Sequence, residues 1–518
     1  METKTKGELK IIDFFFYAFC LIAVLLVMIS FAFIDFKAFN FEIIPYMCLV
    51  AIPLAVLGIL GTIQITKNNA NYKKKLFIFW GLVAVIFFVT IYFANYVSSD
   101  YYYYLNPWCE SYKSMSFKDC LYHIFDVSNY TPVYNYFLIL FAKTGVNTLY
   151  AIKYLTFLFS ILLAISMELL ISKISGSKFN ILHLMIFLLV PTICTEFSWW
   201  GQCDAIYTSF CLLAFYFALS KKSKLSFLFV GIAFAFKLQF LFIVPILFVM
   251  LIIKDENGEH YLKWKDIWIG PVMYLLNIVP VFVGRSFVDV LSVYFTQSGF
   301  YDRLSQDCAN LCSIFDFLGL GSGFAYKFLL VFQVLISISI VLLFVIFLIK
   351  YSKSNKLNSY DLTFFATIIS FCMVFFMPKM LDRFYFLTVS LGIVLYFSKK
   401  TTRNFQIATL LEISLYYVMF YSFKNSQNWV LYLGLFTKPL ALLINIIALV
   451  LMIKTFVSDY LKNKNNLSLQ INSQENESTF AKENLEDNES LKIENEKTSK
   501  ESLNKEPSTE PATENENY

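Results

Sequence analysis

The chain reads as long apolar runs separated by short polar interruptions. Runs of about 20 apolar residues, enough to cross the hydrocarbon core of a bilayer as a helix, begin at residue 11 and recur as far as 456. The pattern predicts helices over 11–34, 42–66, 76–96, 149–171, 180–197, 205–220, 225–237, 239–253, 266–284, 325–350, 361–377, 384–397, 404–423 and 432–456. If each one spans, the chain crosses the membrane about fourteen times. No strand-like alternation suited to an outer-membrane barrel is visible. Residues 130–142, YTPVYNYFLILFA, are too few to span and are expected to lie along the membrane surface. The run 225–253 carries Lys237 at its centre. One straight helix would place that ammonium deep in the bilayer at a cost of about 2.5–3.5 kcal/mol, so two short helices turning at Lys237 are expected.

The loops between these runs separate by charge. Loops 4–10, 67–75, 172–178, 221–224, 254–265, 350–356 and 399–403 carry Lys or Arg and fall on one side, which the positive-inside rule makes cytoplasmic. Both termini fall on that side. The other face receives 95–147, 199–204, the turn at Lys237, 284–324 and 378–384. Ionisable residues gathered at such a face are the default site of function. The run 11–34 is too long for a signal-peptide core and reads as a retained anchor. After residue 457 the sequence turns to Asn, Glu, Lys and Ser, the signature of disorder. The domain expectation is a two-helix extension over 1–75, a transmembrane functional domain over 76–456 and a disordered cytoplasmic tail over 457–518.

Composition agrees with the pattern. With 518 residues, 58% hydrophobic and only 15% charged, and a mean hydropathy of +0.62, the chain is an all-α polytopic membrane protein. The net charge of +5 comes largely from the basic loops, which points to orientation and contact with lipid headgroups and not to nucleic acid. Five of the ten cysteines (Cys20, Cys48, Cys194, Cys211 and Cys372) lie in apolar runs, where Cys behaves as a small hydrophobe. Cys109 with Cys120, or Cys308 with Cys312, could pair only if their loops face an oxidising compartment. With three histidines, and only His123 near either pair, a zinc site is not indicated.

Several segments on the less basic face carry chemistry. Asp100 in SSDYYYYLNPW is either a helix-end acid before an aromatic belt or a general base at the membrane surface. SNYTPVYNYF offers a Pro-started helix bearing tyrosines. In FSWWGQCDAIY, Asp204 is expected to cap a helix beginning at Ala205, and Gln202 behind two indoles suits sugar hydroxyls. FAFKLQF supplies Lys237 and Gln239, the lysine either snorkelling to headgroups or binding a phosphate. The loop YFTQSGFYDRLSQDCANL adds Arg303 and Asn310. In MPKMLDRFYF, Lys379 and Arg383 would share one face if the segment were helical, making a cationic pair able to hold an anion. No P-loop, GxSxG, HExxH or DxD for a metal-bound nucleotide is present. A carboxylate among cations, away from the basic loops, favours transfer from a phosphate-linked lipid.

In this order the segments resemble the GT-C superfamily of integral membrane glycosyltransferases. The resemblance is strongest to the bacterial group related to the GPI-anchor mannosyltransferases, and more distant to the dolichyl-phosphate-glucose glucosyltransferases. It rests on Asp100-Tyr101 through Trp108, Tyr130-Thr131-Pro132 with Tyr134, Trp200-Gly201-Gln202 with Asp204 and Tyr207, Phe236 through Gln239, Gln297 through Asn310, and Pro378-Lys379-Met380 with Arg383. It implies a GT-C-like helical bundle of about 14 transmembrane helices with surface helices in the first extracytoplasmic loop. It also implies a polyprenyl-phosphate hexose donor, mannose or glucose, and a glycan, lipid or protein acceptor at the plasma membrane, leaving open the need for a divalent metal. By resemblance Asp100 is the base, and Lys237, Arg303, Lys379 and Arg383 hold the donor phosphate. Tyr101, Trp108, Tyr130, Trp200, Gln202, Asp204, Gln239 and Asn310 contact sugar or acceptor. The chain departs from the family at Asn129, where relatives have an acid, and at Leu381-Asp382, which replaces His-Glu. A transporter or lipid flippase is the competing class, but it should bury ionisable groups near the midplane, whereas this chain gathers them at one interface. An inactive assembly subunit with the same fold is a third possibility.

Overall fold

A computed structural model describes residues 43–68, 72–299, 303–321, 323–424 and 438–459. The helix predicted over 11–34 and nearly all of the tail expected over 457–518 lie outside the described residues. The chain divides into two units, 1–451 and 452–518. Of the second, only 452–459 are described, and they are helical.

The helices of eight or more residues are, in order, α1 Ile43–Asn68, α2 Tyr72–Tyr92, α3 Asn106–Ser114, α4 Pro132–Thr144, α5 Thr148–Ser175, α6 Ile181–Leu188, α7 Asp204–Leu219, α8 Ser223–Phe236, α9 Val244–Ile252, α10 Ile269–Ile278, α11 Phe287–Gly299, α12 Gly323–Ser354, α13 Ser359–Phe376, α14 Phe386–Ser398 and α15 Thr402–Lys424, followed by α16 Lys438–Asp459. Two residue pairs form a short parallel ladder, β1 Ser305–Gln306 with β2 Met380–Leu381. The chain is an all-α membrane protein.

Seven described helices are long and apolar enough to cross a membrane, or eight if Ile181–Leu188 and Pro191–Trp200, bent by 67°, make one span. The difference from about fourteen has local causes, because several apolar runs are broken where a crossing would need continuity. Pro191 bends the run 180–197, since proline cannot continue the hydrogen-bond ladder of the preceding helix. Runs 205–220, 225–237 and 239–253 give helices of only 16, 14 and 9 residues. Lys237 is extended between Phe236 and the 3-10 turn Leu238–Phe242, so the expected break occurs there. Pro132 opens α4 at its first turn and Gly145, in the left-handed region at φ 69°, ends it.

Burial distinguishes the central helices from the peripheral ones. In α5 and α13 the most apolar stretch is 61% and 67% buried, against 17% in α12. On α12, Phe328, Val331 and Leu343 are exposed, a cost in water but a favourable surface in lipid. The central helices α5, α7, α8 and α14 pack together, and α10 lies against α8. Gly231 on α8 lets that contact close, because a Cβ there would stand 2.3 Å from the Gly270 carbonyl oxygen. Backbone atoms cannot rotate away, so Gly231→Ala should cost about 1–3 kcal/mol. Gly81→Ala, whose added Cβ meets nothing within 4 Å, should leave stability unchanged. Thermal unfolding in detergent checks the pair; equal midpoints for the two variants would contradict the close approach.

Candidate active site

The site begins with a turn. The chain leaves α2 at Tyr92 and runs through 93–98 before the π turn Tyr101–Leu105. Lys153, fully buried on α5, donates from Nζ to the carbonyls of Phe93, Ala94 and Tyr96 at 2.6, 3.1 and 2.8 Å. An ammonium taken from water needs such acceptors, and here it fixes the backbone that presents Asp100. The Ser98 hydroxyl donates to Trp200 O at 3.0 Å, joining this turn to a second π turn, Glu196–Trp200. That turn ends at Gly201 with φ 71° and ψ 44°, a conformation that favours glycine. The Thr156 hydroxyl donates to Gln202 O at 3.0 Å and sets the orientation of the following residues.

These constraints bring Asp100 and Asp204 to the two sides of one guanidinium. Asp100 Oδ2 accepts from Trp200 Nε1 at 2.8 Å and Gln202 Nε2 at 2.7 Å, and Arg383 Nη1 lies 3.2 Å away. No described donor is directed at Asp100 Oδ1, and the side chain is 20% exposed. Asp204 is fully buried, with Lys237 Nζ at 2.6 Å from Oδ1 and Arg383 Nε at 3.1 Å from Oδ2. The second of these is an ion contact and not a hydrogen bond, because neither Arg383 Nε nor Asp204 Oδ2 has a hydrogen-bond partner. Arg383 also lies 3.6 Å from Asp382 Oδ1 and 5.2 Å from the Trp200 ring centroid. Its side chain makes ion contacts with three carboxylates. Lys237 is packed between the rings of Tyr207 and Phe384, at 5.4 and 5.5 Å.

Asp204 therefore does not cap its helix. It is the first residue of α7, its side chain makes no capping bond, and its carboxylate is turned to Lys237 and Arg383. Its own N–H instead donates to Glu196 Oε1 at 3.0 Å. Lys379 and Arg383 do not share a helical face. Lys379 has φ 60°, and β2 and the 3-10 turn Asp382–Tyr385 follow it. The Lys379 N–H donates to Leu304 O at 2.7 Å, tying this loop to the segment that holds exposed Arg303.

The aromatic residues form a chain of rings. Trp108 lies 5.9 Å from Tyr104 and 5.4 Å from Tyr130, and Tyr130 lies 5.3 Å from Tyr134. The Tyr130 hydroxyl donates to Gln202 Oε1 at 3.4 Å. Burial pushes that phenol well above its ordinary pKa, so it is a neutral donor. Tyr101 points elsewhere, its hydroxyl meeting Thr148 Oγ1 at 2.7 Å and Asn106 Oδ1 at 3.1 Å. Gln239 is half-buried, with Oε1 unpartnered. Asn310 is fully buried and donates to the carbonyls of Val374 and Met377 at the end of α13, at 3.3 and 3.0 Å, so its side chain closes that helix.

No protein-family model matches the chain, and neither does any curated protein.

Sequence reading missed Lys153 and Glu196. Both are ionisable residues inside apolar runs, the signal that singled out Asp204 and Lys237. The gathering of charge at one interface also needs correction. Glu168, fully buried, meets His183 Nδ1 at 2.8 Å and Asn180 N at 2.8 Å, far along α5 from Lys153. Gln64 of the N-terminal extension accepts from Ile181 N–H at 2.8 Å, which joins that extension to the same region. Among the described residues Cys109, Cys120, Cys308 and Cys312 are free thiols, and no group of His, Cys, Asp or Glu could hold a metal ion.

The two aspartates should respond unequally to substitution. Asp204→Asn removes the partner of two buried cations and should cost about 3–5 kcal/mol. Asp100→Asn, at a part-exposed carboxylate, should cost much less. Thermal unfolding of the two variants measures the difference, and the reverse ranking would contradict this account of the cluster.

Proposed function

We propose that this chain is a GT-C-type integral membrane glycosyltransferase. It transfers a hexose from a polyprenyl-phosphate donor to a glycan, lipid or protein acceptor on the extracytoplasmic face, with inversion. The observation that carries this reading is the pairing of a part-exposed aspartate, Asp100, with a buried guanidinium, Arg383, whose Nη1 lies 3.2 Å from its Oδ2. In this reading Asp100 Oδ1 accepts the proton of the acceptor hydroxyl as that oxygen attacks the anomeric carbon. The bond from that carbon to the phosphate oxygen breaks, and the lipid phosphate leaves with the electron pair. Arg383 receives the departing phosphate through its guanidinium, an electrostatic contribution of the kind that dominates charge-separating steps. Arg is suited to this role because its planar fork matches phosphate oxygens.

Trp200 and Gln202 hold Asp100 Oδ2, which leaves Oδ1 for the acceptor hydroxyl. Asp204 orients Lys237 and Arg383 from behind and stays out of the chemistry. Trp108, Tyr130 and the Gln202 carboxamide line the approach, where flat rings and amide groups favour sugar faces and hydroxyls. Arg303 and Lys379 are assigned, with Lys237, to the donor phosphate. Tyr101 and Asn310 support the scaffold in this reading, and Gln239, with an open carbonyl oxygen, remains the sugar contact on the lysine turn.

Purified protein supplied with labelled polyprenyl-phosphate mannose and glucose tests the reading. Wild type should transfer with one of them, and Asp100→Asn should be slower by about 10²–10⁴-fold. Undiminished transfer in the variant would remove Asp100 as base, and silence with every donor would favour a transporter or an inactive assembly subunit. For sidedness, a Lys118→Cys variant should label with an impermeant maleimide on intact cells, and Glu256→Cys only after permeabilisation, both side chains being exposed. The opposite pattern would invert the proposed topology.

A further inference from the structure

Glu196 is the acid in this cluster that none of the roles above uses. It is fully buried on the π turn. Its Oε1 accepts the Asp204 N–H at 3.0 Å, while Oε2 is buried with no partner. Four carboxyls, Asp100, Asp204, Asp382 and Glu196, surround two cations, Lys237 and Arg383. Both cations are already within 3.2 Å of Asp100 or Asp204, and neither makes an ion contact with Glu196. The charged groups whose fields reach Glu196 are Asp204, Arg383 and Lys237, and Tyr134 faces it across the interior. Of the elements packed against this turn, α5 carries Lys153, engaged with its three carbonyls. From α15 comes Glu412, which accepts from Thr192 N–H and Oγ1 at 2.9 and 2.8 Å. No described cation makes an ion contact with Glu196. A buried carboxylate without a counterion is disfavoured strongly enough that the group takes up a proton instead.

We propose that Glu196 is a protonated, uncharged acid at neutral pH, and that this proton sets how strongly the Arg383 site holds an anion. The first half stands whether or not the chain transfers sugar; the second rests on the donor reading and extends it to regulation. The neutral acid is a positioning residue. It holds the α7 N-terminus, and with it Asp204, without adding a negative charge beside Arg383. Loss of the proton places one more negative charge next to the guanidinium, so an incoming phosphate is repelled. Anion affinity is therefore full while Glu196 is protonated and falls as pH rises through its ionisation.

Infrared difference spectroscopy of the full-length protein in detergent reads the proton directly. At neutral pH the wild-type-minus-Glu196→Gln spectrum should hold a protonated-carboxyl C=O band, separate from the one that the wild-type-minus-Glu412→Gln spectrum assigns to Glu412, which is likewise buried without a counterion. In Glu412→Gln labelled with carboxyl-13C glutamate the remaining band should shift, which assigns it to glutamate while Glu196 is still in place. No such band would overturn the proposal. Binding of farnesyl phosphate, followed by calorimetry from neutral to alkaline pH, reads the consequence. Wild type should weaken by about tenfold or more relative to Glu196→Gln as pH rises, because glutamine cannot ionise. Parallel pH curves for the two proteins would overturn the link between proton and anion. A band without farnesyl phosphate binding in either protein would sink the anion half together with the donor reading, while leaving the proton in place.

Discussion

The structure around the candidate site depends on one buried guanidinium. Arg383 stands between Asp100 and Asp204 at 3.2 and 3.1 Å, and each carboxylate belongs to a different part of the chain. Asp100 arrives on the turn after α2, Asp204 at the start of α7, and Arg383 on the 3-10 turn between α13 and α14. Removing Arg383 leaves buried carboxylates uncompensated, and removing Asp204 takes the partner from Lys237, in an apolar interior where pairing is obligatory. The backbone devices nearby serve this arrangement. Lys153 gathers the carbonyls of the Asp100 turn, Gly201 permits the left-handed residue between Trp200 and Gln202, and Ser98 and Thr156 fasten the two turns to each other and to α5.

The same interaction separates two acids that look alike in the sequence. Asp204 has both oxygens facing cations and no exposure, so it stabilises charge but cannot exchange protons with a substrate. Asp100 has one oxygen held by an indole and a carboxamide and the other open. The difference comes from neighbours distant in sequence, Trp200, Gln202 and Lys237, and no property of either acid reveals it alone.

Much of this organisation was legible. The turn at Lys237 followed from the cost of a buried ammonium, the Pro132 start of α4 from proline at a helix N-terminus, and the grouping of Asp100, Trp200, Gln202, Asp204, Lys237 and Arg383 from their common face. Three features were not legible, each for a physical reason. The capping role given to Asp204 failed because two cations from other elements compete more strongly for its carboxylate than a backbone N–H does. The helical Lys379–Arg383 face failed because Lys379 adopts a left-handed conformation and the backbone pairs with β1, a long-range contact without a local signature. Several apolar runs are broken into helices shorter than a straight crossing, because hydropathy registers Pro191 and the other breaks only weakly. Lys153 and Glu196 lie inside apolar runs, where an ionisable residue is itself conspicuous, but their partners come from other segments of the chain.

The most direct measurement of the central claim is an experimental structure of the protein in lipid nanodiscs with a non-transferable polyprenyl-phosphate sugar analogue. The account predicts phosphate oxygens within hydrogen-bonding distance of the Arg383 guanidinium, with the sugar beside Asp100 Oδ1 and the Lys237–Asp204 pair intact. A ligand phosphate bound elsewhere, with Arg383 still lodged between Asp100 and Asp204, would contradict it.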